Sequence, residues 1–363
     1  MNDHDYMRVA LDMARSTIGQ TSPNPVVGAV VVNRGQIVGL GAHLKAGEAH
    51  AEVHAINMAG NKAKDGTIYV TLEPCSHFGQ TPPCVDLLIS SGVNRVVIAC
   101  EDPNPSVAGR GIRKLEEAGL KVDVGVLQDE AEKLNKVFFR YIKNNTPFVT
   151  LKTAISMDGK IATQSGESKW ITGEVARQDV HKYRHRYDAI LVGVNTVVAD
   201  NPSLTARLPY ETKNPIRIIL DTNLRTPLDS KVITDGLAPT WIVVGEDCAD
   251  DEIACYTSQK NVRIIKMRDK RINIKDLLRV LGGEGITSLF VEGGGKINTS
   301  FLKADVVQQY ITYIAPKLIG GECAPTSFNG EGFDRLYDVP KLQIKSIEQL
   351  GEDIKLIAIP KNK

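Results

Sequence analysis

The sequence lacks the features that characterise secreted, membrane-embedded and fibrous proteins. Only six cysteines occur among 363 residues, too few for a disulfide framework. No stretch approaches the roughly 18 uninterrupted apolar residues of a membrane span. Met1 is followed by Asn2, Asp3, His4 and Asp5 instead of a basic and then apolar leader. We therefore expect neither a signal peptide nor a membrane span, and we expect a cytoplasmic protein with free thiols.

A surplus of charge is also missing. The chain has 44 basic and 43 acidic side chains, a net charge of +1. A protein that coats nucleic acid needs an excess of lysine and arginine, so this balance argues against nucleic acid as a partner, although a local basic patch is compatible with it. The hydrophobic fraction of 42% is that of an ordinary globular protein, and 363 residues are enough for two domains.

Apolar residues alternate between helical and strand-like spacing along the chain. Helical spacing covers 5–18, 50–59, 83–91, 109–119 and 129–143, and strand-like runs cover 28–32, 36–41, 67–72, 93–100 and 122–126. After a polar turn at 144–147, a second alternation runs from 148 to the helical stretch 296–303. Such alternation is typical of α/β folds in which helices cover a sheet. It predicts a three-layer domain over residues 1–145 and a second domain over residues 146–363.

The first half contains a group of residues suited to binding a metal. His50 begins a helical stretch, Cys75 follows a strand-like run, and Cys84 begins the next helical stretch. One imidazole and two thiolates suit Zn²⁺, and three protein ligands leave the open position of a catalytic zinc, where water becomes hydroxide. Glu52 is two residues after His50 and can move protons there. Zinc deaminases of cytidine and adenine use the same order of residues.

The spacing of the two cysteines departs from that of the usual zinc deaminases. Eight residues, among them His77, Gly79, Pro82 and Pro83, separate Cys75 from Cys84 where two are usual. This long loop predicts a reshaped pocket mouth and a substrate bulkier than a simple nucleoside. The alternative is a structural metal site completed by another histidine, such as His54 or His77, or no metal site at all.

The second half contains residues suited to binding an anion. A strand-like run ending at Glu292 opens through Gly293, Gly294 and Gly295 into a helical stretch, so backbone amides could approach a phosphate, although a tight turn explains the glycines equally well. Arg184 and Arg207 could grip a phosphate through their planar guanidinium groups. Arg184 could instead be an exposed helix residue.

Several longer motifs resemble one known family across nearly the whole chain. They are SPNPVVG at 22–28, GAH at 41–43, HAE at 50–52, TLEPCSH at 71–77, TPPC at 81–84, KTAISMDGKIA at 152–162, WITG at 170–173, GVNTVVADNP at 193–202 and VEGG at 291–294. With these motifs the chain resembles the bifunctional deaminase-reductases of riboflavin biosynthesis. The wide cysteine spacing is itself part of that family's pattern.

The resemblance implies a cytidine-deaminase-like α/β/α domain followed by a dihydrofolate-reductase-like α/β domain. The first would bind one Zn²⁺ and remove the 2-amino group of a diaminopyrimidinone ribosyl phosphate, with Glu52 as the catalytic residue and Asn24 and His43 contacting the substrate. The second would use NADPH to reduce the ribosyl group to ribityl. A homo-oligomer that forms through the reductase domain is also implied.

By resemblance, two further sets of residues line the second site. The substrate set comprises Lys152, Ser168, Arg184, Leu204, Arg207 and Glu292. The NADPH set comprises Ala154, Trp170, Thr196, Asp200, Thr222, Gly294, Gly295, Lys296, Ile297, Asn298, Thr299 and Ser300. No residue in this half has a pattern that identifies it as the proton donor.

Two other interpretations fit parts of the sequence. The chain could be a nucleic-acid-editing zinc deaminase with an accessory nucleotide-binding domain, which the neutral charge disfavours. It could also be a regulatory protein with structural zinc, which the presence of Glu52 beside the ligands disfavours.

Overall fold

A computed structural model describes residues 1–78, 82–104 and 107–361 of the chain. Gly79 of the loop between the cysteines and Thr81 of the TPPC motif lie outside the described residues. The chain divides into two compact units, Met1–Asn145 and Thr146–Lys363, which we call unit 1 and unit 2. Within the described ranges, no helix has both the length and the apolar character that crossing a membrane requires.

Unit 1 is built on a five-stranded sheet with the strand order β2-β1-β3-β4-β5. Strands β3, β4 and β5 run parallel, whereas β1 is antiparallel to both β2 and β3. The elements are α1 (Asp3–Arg15), β1 (Gly28–Asn33), β2 (Gln36–Ala42), α2 (Ala51–Ala59), a 3₁₀ helix (Gly60–Ala63), β3 (Thr67–Val70), α3 (Cys84–Ser91), β4 (Arg95–Ile98), α4 (Arg110–Glu117), β5 (Lys121–Val124), α5 (Gln128–Leu134) and α6 (Lys136–Asn144).

Helices cover both faces of this sheet and bury its apolar side chains. Residues of α2, α3 and α4 pack on one face, and residues of α1 and α5 pack on the other. Helix α2 lies very close to β2, since a Cβ at Gly41 would be 2.1 Å from the carbonyl oxygen of Ala51. Glycine is therefore required at position 41. The close approach of β2 to α2 fixes the start of this helix, where His50 and Glu52 lie.

Unit 2 is built on a nine-stranded sheet with the order β10-β9-β8-β7-β11-β6-β12-β14-β13. The strands from β10 to β12 in this order are parallel, and β14 and β13 add antiparallel pairs at one edge. The elements are β6 (Phe148–Ser156), α7 (Glu174–Arg186), β7 (Ala189–Gly193), α8 (Val194–Asp200), β8 (Ile216–Leu220), α9 (Lys231–Thr234), β9 (Thr240–Val244), α10 (Asp250–Thr257), β10 (Val262–Lys266), α11 (Ile274–Gly283), β11 (Ser288–Val291), α12 (Gly295–Lys303), β12 (Gln309–Ala315), β13 (Leu342–Leu350) and β14 (Asp353–Pro360).

Helices also cover both faces of the second sheet. Residues of α11 and α12 pack on one face, and residues of α7, α8, α9 and α10 pack on the other. Helix α8 follows β7 directly, and α12 follows β11 after a short glycine-rich turn. The carboxyl ends of parallel strands share one edge of a sheet, and ligands of α/β proteins commonly bind there.

The predicted α/β class with a deaminase-like first domain and a reductase second domain is confirmed. The predicted single helix over 129–143 is wrong, because it breaks at Asn135 into α5 and α6. The buried Asn135 side chain accepts from the Val26 N–H and donates to the Val26 carbonyl, both at 2.9 Å. These two hydrogen bonds connect the junction of α5 and α6 to the segment that precedes β1.

Candidate active sites

Three side chains from separate elements of unit 1 converge on one point. His50 is the residue that precedes α2, Cys75 lies in the segment after β3, and Cys84 is the first residue of α3. The ligand atoms of all three lie within 4.8 Å of one another. His50 Nδ1 is 3.3 Å from Cys84 Sγ and 3.6 Å from Cys75 Sγ.

This cluster fits zinc in both geometry and chemistry. Tetrahedral zinc with ordinary Zn–N and Zn–S bonds separates a nitrogen from a sulfur ligand by about 3.5 Å, which matches the two His50 distances. Hydrogen bonds with Cys84 and then His50 outweigh burial and hold the pKa of the Cys75 thiol well below its usual value, so one thiolate is already favoured. His54 and His77 do not join the three-residue cluster formed by the described residues.

Glu52 is buried in the first turn of α2 and lines the same cavity as His50 and Cys75. Its Oε2 atom has no hydrogen-bond partner among the described residues. Burial raises the pKa of Glu52 to about 6, although the neighbouring His50 opposes the shift. A carboxyl group with such a pKa can both take up and release a proton near neutral pH.

The cavity in unit 1 has a volume of about 500 Å³, and the predicted substrate residues Asn24 and His43 line it. Asn24 Nδ2 lies 3.1 Å from His43 Nε2, and His43 Nδ1 lies 3.2 Å from the Ala49 carbonyl oxygen. Burial lowers the pKa of His43, which favours the neutral ring with Nδ1 donating and Nε2 accepting. The two side chains therefore orient each other at the cavity wall.

The sequence reasoning missed residues on another wall of this cavity. Asp102 and Asn104 line it, and the Asn104 backbone N–H donates to the Asp102 carboxylate at 2.8 Å. Burial raises the pKa of Asp102 to about 6. Both residues follow β4, the parallel neighbour of the strand that leads to Cys75. Their position after adjacent strand ends is the signal that could have identified them.

Unit 2 has a cavity of about 570 Å³ at the carboxyl edge of its sheet. It brings together most of the predicted residues of the second site. Those that line it are Lys152, Ala154, Ser168, Trp170, Arg184, Thr196, Asp200, Leu204, Arg207 and Glu292. Thr222 and the stretch 294–300 are not in its lining; Thr222 follows β8 and the stretch follows β11, two strands that end at the same edge of the sheet.

A buried cluster of charges lies in this cavity. Arg184 donates to the Glu292 carboxylate through Nε at 2.7 Å and Nη2 at 3.1 Å, and Lys152 Nζ donates at 3.3 Å. Burial alone would raise the pKa of Glu292, but Arg184 and Lys152 lower it to about 2. The alternative of an exposed Arg184 is wrong, because its side chain is only 14% exposed.

A strained segment and a histidine that the sequence reasoning missed complete this wall. Leu204 has a φ of +54°, a conformation unfavourable for a residue with a side chain. The next carbonyl, that of Thr205, accepts from Arg184 Nη1 at 3.3 Å and lies 3.2 Å from His181 Nδ1. Burial and the charges of Arg184 and Arg207 lower the pKa of His181 to about 4, so this ring is neutral at pH 7.

The start of α12 fits a phosphate-bearing cofactor. No side chain among the described residues caps this helix, so its first N–H groups are available to an anion. The Asn298 Oδ1 atom is buried and has no partner among the described residues. A Cβ at Gly293 would be 2.5 Å from Ile297, which explains the first glycine of the run by close packing.

These two units define a class of protein: a zinc-binding deaminase domain joined to a reductase domain in one chain. Residues 1–100 match the cytidine and deoxycytidylate deaminase zinc-binding region, and residues 147–356 match the RibD C-terminal domain. Sequence and structure comparisons agree on this pairing.

The relatives extend over almost the entire chain. The chain is 53% identical over 359 residues to the riboflavin biosynthesis protein RibD of Bacillus amyloliquefaciens. This alignment covers 98% of the chain and 96% of that protein. The RibD protein of Aquifex aeolicus is 47% identical, with 97% of each chain covered.

Solved structures give the same result. Acinetobacter baumannii RibD superposes with a TM-score of 0.89 at 37% identity. A Thermotoga maritima diaminohydroxyphosphoribosylaminopyrimidine deaminase/5-amino-6-(5-phosphoribosylamino)uracil reductase superposes with a TM-score of 0.88 at 36% identity. Each comparison covers 99% of both chains. The chain therefore belongs to the RibD family of riboflavin biosynthesis proteins, which are deaminases and reductases.

Proposed function

We propose that this chain carries out two consecutive steps on one riboflavin precursor. Unit 1, within residues 1–145, would hydrolyse the 2-amino group of 2,5-diamino-6-(ribosylamino)-4(3H)-pyrimidinone 5′-phosphate to give 5-amino-6-(5-phosphoribosylamino)uracil. Unit 2, within residues 146–363, would reduce the ribosyl group of that product to ribityl with NADPH. The observation that carries the first step is the convergence of His50, Cys75 and Cys84 beside a buried Glu52. The Thermotoga maritima relative is described by the same two activities.

For deamination, His50, Cys75 and Cys84 would hold one zinc ion, which lowers the pKa of a water molecule and so makes it a nucleophile. Glu52 accepts a proton at its unpartnered Oε2 and returns it to the departing amine. Burial of this carboxyl group favours its neutral form, so it can hold the proton between the two transfers. Asn24 and His43 hold the pyrimidinone ring against the metal site.

For reduction, the charges around Glu292 select an anionic substrate. Lys152, Arg184 and Arg207 are cationic there, Glu292 is the opposing carboxylate, and His181 is neutral. The resulting positive potential favours the substrate phosphate, and arginine can bind it through two hydrogen bonds. Ser168 and Leu204 complete this substrate wall.

NADPH would supply the hydride, while the protein orients the sugar and the nicotinamide. We assign its binding to residues at the carboxyl ends of β6, β7, β8 and β11 and in the segments that follow them. They are Ala154, Trp170, Thr196, Asp200, Thr222, Gly294, Gly295, Lys296, Ile297, Asn298, Thr299 and Ser300. Arg177 stacks on the Trp170 ring at 4.6 Å and holds it at the cavity wall.

A two-stage assay of one purified sample tests this function. The zinc-loaded protein is given the diaminopyrimidinone ribosyl phosphate, and ammonia release is followed before NADPH is added and its oxidation recorded. We expect one ammonia and then one NADPH oxidised for each substrate molecule. Single-stranded RNA and DNA are the comparison substrates. Ammonia release from them, with none from the pyrimidinone, would instead establish the nucleic-acid-editing alternative.

We also propose that the protein is a cytoplasmic homo-oligomer that assembles through unit 2. Strand β13 forms the edge of the nine-stranded sheet, and almost every residue in it is exposed. A register shift between Ile344 and Ser346 puts Leu342, Ile344 and Ile347 on the same face as Ile354 of the neighbouring strand. An exposed apolar edge of this kind favours pairing with a second copy.

The cytoplasmic location bears on the metal site, because a reducing cytoplasm would keep Cys75 and Cys84 as metal-binding thiols.

Ile347→Lys is expected to convert this oligomer to monomers. The Ile347 side chain is 65% exposed in the single chain, and a lysine there would place a charge in the proposed interface. Sedimentation equilibrium at micromolar concentration measures the mass. The matched control is Val124→Lys at β5, the edge strand of unit 1, where the apolar side chain is 44% exposed. The control should keep the wild-type mass; an unchanged mass in Ile347→Lys would contradict the proposed interface.

A further inference from the structure

Glu73 is a buried carboxylate to which the mechanism above gives no role. It lies between the end of β3 and the metal-binding Cys75, and it is only 4% exposed. Four backbone N–H groups donate to it. Gly109 and Asp102 donate to Oε2 at 3.0 and 3.3 Å, and Gly111 and Ile112 donate to Oε1 at 2.9 and 3.4 Å.

All four donors belong to the stretch of chain that follows β4, next to the segment that holds Glu73. This stretch begins with the wall residues Asp102 and Asn104 and ends in the first turn of α4. Because Glu73 supplies negative charge at the start of α4, it satisfies the free N–H groups of that helix. The packing is tight as well, since a Cβ at Gly111 would be 2.3 Å from the Pro74 carbonyl oxygen.

One carboxylate therefore connects the segment that holds Cys75 with the segment that holds Asp102, and residues of both segments line the cavity. On one side it is two residues from Cys75, and on the other it fixes the backbone at Asp102. We infer that Glu73 is a positioning residue for deamination, which sets the distance between the metal site and the cavity-lining residues Asp102 and Asn104, where the substrate would bind. This inference rests on the proposed deaminase function.

The Glu73→Gln variant separates this role from general packing. The amide has nearly the same shape, but its NH₂ group must face backbone N–H donors wherever it points, so two hydrogen bonds are lost. Displacement of the 102–104 wall should raise KM for the pyrimidinone about tenfold. Because the metal ligands and Glu52 are unchanged, kcat should stay within about threefold and one zinc should remain bound.

The matched control is Glu117→Gln, an exposed carboxylate on α4. Its KM should equal that of the wild type. NADPH oxidation with the deaminated intermediate shows that unit 2 is folded in the variant, and one bound zinc shows the same for unit 1. The Co²⁺-substituted Glu73→Gln variant should keep the wild-type thiolate-to-metal absorption, because His50, Cys75 and Cys84 do not move.

A double-mutant cycle tests whether Glu73 acts through Asp102. We expect Asp102→Asn alone to raise KM, because Asp102 lines the cavity. Adding Glu73→Gln should raise KM little further, because both changes disable the same wall. The inference is overturned if the KM increase of the double variant equals the product of the two single increases. It is also overturned if the KM of Glu73→Gln is within twofold of the wild type. If Glu73→Gln loses zinc, the Glu73→Asp variant tests the positioning role instead, because its side chain keeps the negative charge but is one methylene shorter. A raised KM with zinc retained supports the role, and a wild-type KM refutes it.

A failure of the proposed function would look different. The wild-type protein would then release no ammonia from the pyrimidinone, and the inference about Glu73 would fall with it. An active wild type beside an equally active Glu73→Gln variant would refute only the role of Glu73.

Discussion

The Glu52→Gln variant is expected to lose ammonia release by about a thousandfold or more while keeping its zinc. The replacement preserves the size of the side chain and leaves the three metal ligands in place. It removes a buried carboxyl group whose Oε2 atom has no hydrogen-bond partner among the described residues and can take up a proton. An amide cannot accept a proton from water near pH 7, so the leaving amine would receive none.

The same sample should still oxidise NADPH when it is given the deaminated intermediate, because Glu52 belongs to unit 1 and the reductase cavity is lined by residues of unit 2. Metal analysis, ammonia release and NADPH oxidation on one preparation measure all three properties. Glu116→Gln, an exposed carboxylate of α4, is the control for the chemical change itself. Undiminished ammonia release would refute the role of Glu52, and loss of both activities would contradict the independence of the two sites.

The metal site was predictable because its chemistry is visible in residue types. An imidazole, two thiolates and a carboxylate two residues from the imidazole fit a catalytic zinc site. The structure brings His50, Cys75 and Cys84 together as predicted. The wall formed by Asp102 and Asn104 was not predicted, because its residues are recognisable only from the adjacency of β3 and β4 in the sheet.

Other failures have similar physical causes. The break at Asn135 depends on its hydrogen bonds with Val26, which is 109 residues away in the sequence. Strands β12, β13 and β14 were not predicted from the sequence. In β13, a bulge between Ile344 and Ser346 shifts the apolar alternation of Leu342 and Ile344 to Ile347. At Asn135 the deciding contact is distant along the chain, whereas periodicity reports only on near neighbours.

The Glu292→Gln variant is expected to lose about a hundredfold in kcat/KM for the reduction. Its carboxylate orients Arg184 through two hydrogen bonds and Lys152 through a third. Without that charge, the two cations repel each other at positions where their side chains are only about 15% exposed. The guanidinium that would receive the substrate phosphate then loses its fixed orientation, which NADPH oxidation assays with the deaminated intermediate can measure.

The stability of unit 2 should fall as well, and the loss should depend on pH. Lowering the pKa of Glu292 from about 4.5 in the unfolded chain to about 2 corresponds to about 3 kcal/mol. Because the folded pKa is the lower one, this stabilisation is complete at pH values above 4.5 and disappears as the pH falls towards 2. The variant should therefore differ most from the wild type near pH 7 and progressively less below pH 4.5.

Tryptophan fluorescence during urea unfolding measures this difference in unit 2 specifically, because Trp170 and Trp241 are the two tryptophans of the chain. Glu284→Gln is the matched control. It breaks an ion pair in which the Glu284 side chain is 35% exposed and the Arg263 side chain 49%. The free energy of unfolding should therefore fall by less than about 1 kcal/mol. Equal losses of unfolding free energy in the two variants would mean that burial does not strengthen the interactions of Glu292 with Arg184 and Lys152. A larger loss in Glu292→Gln that shrinks on acidification would instead identify this carboxylate as the group that keeps two cations together in the reductase site.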